Sequence, residues 1–311
     1  MKKTQWLDAR RTIQRRWVSY LSIVVIAMLA VVAYLGVSYS AQSLKDSASA
    51  CLEAQNTADI DLVSTSLLSA EDVDSIRKTD GVAGAEGILS IPSRVSSDTG
   101  YQDVLLQTGT ADISVPQLLE GSFPASPGEC AVEKALADTM NWRIGDSFEL
   151  NSRGLQTDRL IQTGALKVTG IFLTADHLSA EVQADLLIWV TPESFRIAML
   201  QGKQYNQVRI RLSGVSGDRF SDDYEAAVDR MEENWMDDPS RIVTDLQDNA
   251  HYLYVRSNAD NLASISLSFS LLFIVIAMMV IYATIGRMVE QDSQLVGAEK
   301  AMGLKNSEIL V

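Results

Sequence analysis

Apolar and polar positions divide the chain into stretches of very different character. Windows 18–37 and 262–285, of 20 and 24 residues, contain no charged side chain. At about 1.5 Å of rise per residue, each is long enough to cross the roughly 30 Å core of a bilayer as a helix. Both are predicted to be transmembrane. The pattern between them changes every few residues. Positions 59–65 read as a strand, and Ser69 followed by Asp72 gives an N-cap signal for a helix to about Lys78, stopped by Gly81. Positions 85–95 return to an extended pattern, and further strands are predicted over 104–108, 129–132, 147–150, 166–173 and 207–212. Pro127-Gly128 and Gly145-Asp146 mark turns, and 133–140 reads as a helix. A second helix, 222–235, places Ala226, Ala227, Met231 and Trp235 at helical spacing. No Pro or Gly occurs from Asp245 until Gly286, so a helix should enter the second apolar window from outside.

These elements predict an α+β fold, with a mixed α/β domain of two lobes inserted between two transmembrane helices. One lobe is expected from about 55–105 and 205–250, and a more β-rich lobe from the middle. The divisions are an arm over 1–17, a helix over 18–37, an outer domain over 38–261, a helix over 262–285 and a tail over 286–311.

Charge adds orientation. The formal net charge is −14, yet the arm's six basic residues against Asp8 give it +5 and the tail carries −1, leaving −18 for the middle. Basic residues beside a first apolar window stay on the cytoplasmic side. The arm and tail are therefore expected inside, and 38–261 outside. Ala48-Ser49-Ala50 has the form of a signal-cleavage site, but the apolar run before it is longer than the roughly 7 to 15 residues of a signal core. The acidic middle offers no basic surface for phosphates, which argues against nucleic acid as a partner.

Candidate chemistry is sparse. Cys51 and Cys130 are the only cysteines, too few for a disulfide framework or a metal motif, and their pairing stays open. His177, beside Asp176 in a predicted loop, is expected at the surface; His251, near Tyr252 and Tyr254, is expected in helix packing near the membrane. Neither a Walker phosphate loop nor a dinucleotide glycine fingerprint occurs. Asp222-Asp223, Glu232-Glu233 and Asp237-Asp238 are adjacent pairs that splay across a helix face. No catalytic group, cofactor site or metal site can be nominated, so the chain is not expected to be an enzyme.

The tail carries more specific information. From Arg287 it reads RMVEQDSQLVGAEKAMGLKNSEIL. This resembles the cytoplasmic segment of FtsX-like ABC-transporter permeases at Arg287, Met288, Val289, Glu290, Gly297, Lys300, Ala301, Gly303, Glu308, Ile309 and Leu310, departing at Ser293 and Glu299. The basic start from Ala9 to Arg16 is similar to the family's N-terminal arm. Leu119-Glu120-Gly121, Pro124, Pro127-Gly128-Glu129-Cys130, Gly145-Asp146 and Leu166 to Ile171 resemble its MacB-like extracytoplasmic core domain, where the residues themselves suggest turns and a strand.

The resemblance implies a permease subunit that couples a separate cytoplasmic ABC ATPase to movement of the outer domain, for export or mechanotransmission. It also implies membrane lipid and either a second copy or a second permease half as further partners. The chain would be an N-terminal fragment of a longer permease. Leu295, Ala298 and Met302 make an apolar stripe on a predicted helix over 295–304, flanked by Glu299 and Lys300 and ended by Gly303. These six are the candidate residues for docking the ATPase; packing on the permease's own helices or on lipid is the other reading. A membrane receptor with a ligand-sensing outer domain and a membrane-tethered enzyme are the alternative functions.

Overall fold

A computed structural model describes residues 17–97, 100–152, 165–195, 203–215 and 217–301. In order these form α1 (Trp17–Ala54), β1 (Ile60–Ser69), α2 (Ala70–Arg77), β2 (Val82–Ile88), β3 (Ser90–Ser97), β4 (Gly100–Thr108), β5 (Gln117–Gly121), β6 (Glu129–Glu133), α3 (Lys134–Met140), β7 (Ser147–Ser152), β8 (Ala165–Leu173), β9 (Leu186–Val190), β10 (Lys203–Leu212), α4 (Asp222–Met236), β11 (Arg241–Asp245) and α5 (Ala250–Ala301). Two compact units result: Leu44–Ser257, and the helical stretches on either side of it.

The Leu44–Ser257 unit is the expected mixed α/β domain of two lobes. In the first lobe, a four-stranded antiparallel sheet has the order β11-β1-β10-β2. Alternation sets its inner face: Ile60 and Leu62 of β1 and Val208 and Ile210 of β10 are wholly buried, with Ile60 opposite Ile210. Helix α2 covers part of this face with Val73 and Ile76. Its start follows the local sequence, since Ser69 Oγ accepts from the Asp72 amide while Asp72 accepts from the Ser69 amide. Helix α4 adds Tyr224, Val228 and Trp235. Its inner stripe differs from the expected one, because Ala226 is exposed and Ala227 and Met231 are only half-buried. Large side chains with the most area to remove from water took the inner positions.

The second lobe is a ring. Its strands run β5-β8-β6-β9-β4-β3-β7, and β7 pairs back onto β8. Six strands thus close on themselves around Val104, Leu106, Cys130, Val132, Leu136, Val168 and Ile188. Closure removes the free edges that an open sheet leaves. Strand β5 lies outside this ring on β8, where Gly121 faces Gly170. A Cβ on Gly121, at φ +75°, would stand 2.1 Å from the Thr169 carbonyl oxygen; one on Gly170 would stand 2.4 Å from that of Ser122. Only glycine permits this approach. Glu129 accepts from the amides of Ala125 and Ser126, closing the Pro127-Gly128 turn. The residues that resemble the family's core domain are thus doing structural work.

The chain passes from the first lobe to the second at Leu89, inside the single extended stretch expected over 85–95. Strands β5, β9 and β11 were not expected. Cys51 and Cys130 are free thiols.

In the other unit, the helices leave apolar side chains such as Met28, Leu29, Val32, Leu271, Leu272 and Met279 more than half exposed. Among the described residues, two helices are long and apolar enough to cross a membrane, with 11% and 6% of their most apolar windows buried. Such a surface suits lipid and not water, which gives the chain a membrane location. Where the two helices meet, small residues do the packing. Ser266 is wholly buried, donates to the Tyr34 carbonyl oxygen at 2.9 Å and lies 2.9 Å from Ser38 Oγ.

Candidate functional site

The C-terminal end of α1 and the N-terminal end of α5 both lie within the Leu44–Ser257 unit, and both enter its first lobe. Ala48 and Leu52 of α1 and Tyr252 and Val255 of α5 belong to the apolar core that also holds the inner face of the sheet. These two helix ends are part of the lobe's core, and the polar groups around them show how firmly they are held.

Asp59, wholly buried just before β1, is the centre of one cluster. Its carboxylate accepts from Arg211 Nη1 at 2.7 and 2.5 Å, from Tyr224 Oη at 2.7 Å and from the Leu212 amide at 2.8 Å. Arg219 Nη1 lies 3.1 Å away. The arginines reach back to α1: Arg211 Nη2 and Arg219 Nη2 both meet Glu53 Oε2, at 3.0 and 3.2 Å. Arg211 Nε donates to Asn56 Oδ1 at 3.1 Å, and Arg219 Nη1 to the Thr57 carbonyl oxygen at 2.9 Å. Tyr252 of α5 donates to the Arg219 carbonyl oxygen at 2.7 Å and stacks on Phe220 with ring centroids 4.5 Å apart. Burial and the adjacent Asp59 raise the Tyr224 phenol above its ordinary range, so it remains a donor. The end of α1, strand β10 and the start of α4 are thus tied by charge-assisted bonds around the buried Asp59, with the half-exposed Glu53 at the rim, and Tyr252 adds the start of α5 through a neutral hydrogen bond. We term this the arginine latch.

The second connection is a strap, the loop 174–185 between β8 and β9. The Ala175 amide donates to Gln55 Oε1 at 2.8 Å, and Gln55 Nε2 donates to the Leu173 carbonyl oxygen at 3.3 Å, joining α1 to the ring lobe. Asp176 accepts from Arg209 Nη2 of β10 at 2.8 Å, and its carbonyl oxygen accepts from Asn249 Nδ2 at 3.1 Å. His177 Nδ1 lies 2.9 Å from both oxygens of Glu133 of β6. Its ring meets the His251 ring of α5 at 4.7 Å between centroids, and His251 Nδ1 lies 2.9 Å from the Ser179 carbonyl oxygen. A cavity of about 190 Å³, lined in part by Thr57, Asp61, Gln107, His177, Arg209 and Leu246, adjoins the strap. Thr57 Oγ1, Arg209 Nε and His251 Nε2 are buried without hydrogen-bond partners.

His177 is therefore a partly buried connector and not the surface residue that its loop position suggested. His251 does pack in a helix, but against His177.

The six docking candidates fall differently. Leu295, Ala298, Glu299 and Lys300 lie on α5, whose backbone continues without a break to Ala301; Met302 and Gly303 lie outside the described residues. The helix expected over 295–304 is, as far as Ala301, the end of α5. Gly297 is helical, with nothing within 4 Å of where its Cβ would stand. The basic arm before Trp17 also lies outside the described residues.

The model of the MacB-like periplasmic core domain family matches residues 20–230, two thirds of the chain and both lobes. The chain belongs to this family. It is an FtsX- and MacB-like ABC permease component, with a MacB-like periplasmic domain. Two solved structures are similar to it. The extracellular domain of the noncanonic ABC-type transporter YknZ from Gram-positive bacteria is 11% identical, with a TM-score of 0.36, over 60% of this chain and 99% of that one. The periplasmic region of MacB from Actinobacillus actinomycetemcomitans is 9% identical, with a TM-score of 0.38, over 68% of this chain and 96% of that one. No curated protein matches the chain.

Proposed function

We propose that this chain is the permease subunit of an ABC transporter, coupling ATP hydrolysis by a separate cytoplasmic ATPase to movement of its outer domain. The observation that carries the reading is the unbroken run of α5. It begins at the latch and strap, passes through the apolar window and continues to Ala301, 52 residues or about 78 Å of helix. A helix of this kind transmits a push or tilt at one end to the other. The arm is cytoplasmic, the Leu44–Ser257 unit is outside and the tail is cytoplasmic, as the basic arm favours. The stripe Leu295, Ala298 and Met302, with Glu299, Lys300 and Gly303, forms the ATPase-docking end. Lipid surrounds the apolar windows, and a second copy or second permease half completes the assembly.

Co-purification of the ATPase with the permease, wild type against Met302→Asp, tests the docking end. Loss of the ATPase with normal membrane insertion is expected, and unchanged recovery would remove the assignment. Orientation is tested by membrane-impermeant thiol labelling of Ser97→Cys and Ser293→Cys in a cysteine-free background. Position 97 should label in intact cells and position 293 should not.

A further inference from the structure

The chain has two histidines, 74 positions apart, and the fold brings their rings together at the junction of the strap and α5. We propose that His177 and His251 form a proton-operated clasp, closed when one ring is charged and released when both are or neither is.

The surroundings explain why one charge suits the site. His177 faces Glu133 from β6, Asp176 from the strap and Arg209 from β10; His251 of α5 faces His177, Glu133 and Asp176. With His177 protonated, its charge offsets Glu133, while Arg209 is shared between Asp176, at 2.8 Å, and Asp61, 3.9 Å from its Nε, whose pKa burial raises. Burial opposes the His177 charge, but its hydrogen bond to Glu133 and the nearby carboxylates outweigh that and raise its pKa above the ordinary histidine value. His251 is different. Its Nδ1 lies 2.9 Å from the Ser179 carbonyl oxygen and 3.4 Å from the Ser179 amide, and the shorter contact favours a proton on Nδ1, while Nε2 is buried with no partner. A proton on Nε2 would be an unsatisfied buried donor and would set a second positive charge against His177. His251 lies eleven residues before the apolar window, or about 16 Å along the helix, outside the membrane-spanning segment.

The response to pH has two limbs. As pH falls below the ordinary histidine value of about 6.5, His251 protonates and the closed clasp loses its advantage. As pH rises through the raised pKa of His177, the ring loses its charge, leaves Glu133 buried with an uncompensated carboxylate, and the contact weakens again. Release frees the histidine contact between the strap and the head of α5, while the arginine latch still holds α1 and the first lobe. Exposure of the clasp to external acidity rests on the orientation proposed above; the following measurements do not.

The untagged full chain in nanodiscs, grown with ε1-¹³C histidine, should give two histidine signals. Their midpoints should lie on opposite sides of about 6.5, and His177→Gln should move the His251 midpoint upward by removing the like charge. Two midpoints that coincide near the ordinary value, or a His251 midpoint unmoved by His177→Gln, would overturn the proposal. Exchange protection of strap amides, corrected for the intrinsic effect of pH, should fall at least tenfold between pH 7 and 5.5 in the wild type. In His251→Gln, which cannot take the proton, the fall should be absent. Strap protection independent of pH in the wild type, or an equal fall in His251→Gln, would also contradict the clasp.

Discussion

The arginine latch and the strap both fasten helix ends within the Leu44–Ser257 domain, yet they satisfy their buried groups in different ways. In the latch, Asp59 is met by Arg211, Arg219, Tyr224 and a backbone amide, and each arginine has a second acidic or carbonyl partner. Opening it would strand charges in the interior. In the strap, two ion pairs, Asp176 with Arg209 and His177 with Glu133, are joined by single hydrogen bonds and one ring contact beside a cavity, with orphaned atoms at Thr57, Arg209 and His251. Opening it hydrates groups that lack partners while closed. The difference gives the domain one permanent joint and one yielding joint, and it orders the expected effects of substitution.

Asp59→Ala should be the most damaging change, because it leaves Arg211 and Arg219 buried without their shared carboxylate; a loss of about 3–5 kcal/mol is expected. Urea unfolding of the full chain in detergent measures it, and a loss below about 1 kcal/mol would mean that the latch carries little load. On the strap side, Gln55→Ala orphans the Ala175 amide and should cost about 1–2 kcal/mol. Most of that should appear as faster exchange of strap amides, with little change in the unfolding of the first lobe. Tyr252→Phe removes one latch bond while keeping the stacked ring, and about 1 kcal/mol is expected. Equal losses for Asp59→Ala and Gln55→Ala would erase the distinction drawn above.

The smallest effect has the opposite sign. Glu232 of α4 is buried with Oε1 unpartnered, and burial, then Asp245, Asp248 and Asp229, push its pKa up to about 7. The folded state holds its proton more tightly than the unfolded chain, so this site weakens the fold as pH rises above the ordinary carboxylate range. Glu232→Gln should add about 1 kcal/mol at pH 8 and nothing at pH 4. Thermal melting at the two pH values provides the check. A gain of equal size at both would show that the carboxylate's charge is not the cause.

Local signals made much of the scaffold legible in the sequence. The Ser69 and Asp72 pairing, the Gly145 turn and the alternation of Val208, Ile210 and Leu212 all act within a few residues. Strand β9, the apolar run Leu186–Val190, has no alternation because both of its neighbours in the ring and the packed faces bury it, so periodicity gave no sign of it. Strand β5 is interrupted by a register shift between Leu118 and Glu120. The latch was not legible, since Asp59 and Arg211 are 152 positions apart and no local pattern links them. One clue was present: Arg209 and Arg211 place two cations on one face of a strand in a strongly acidic domain, which is unusual for a solvated surface. The histidine contact had a similar trace only in hindsight of the fold, because Asp176 and His177 read as an ordinary polar loop.

The central claim is that one joint is permanent and the other yields. Native-state hydrogen exchange on the wild-type full chain at pH 7 tests it directly, by comparing the Leu212 amide, which donates to Asp59, with the Ala175 amide, which donates to Gln55. The account predicts that Leu212 exchanges only with global unfolding of the outer domain, while Ala175 exchanges at least about 100-fold faster through local opening of the strap. Equal rates for the two amides, or faster exchange at Leu212, would contradict it.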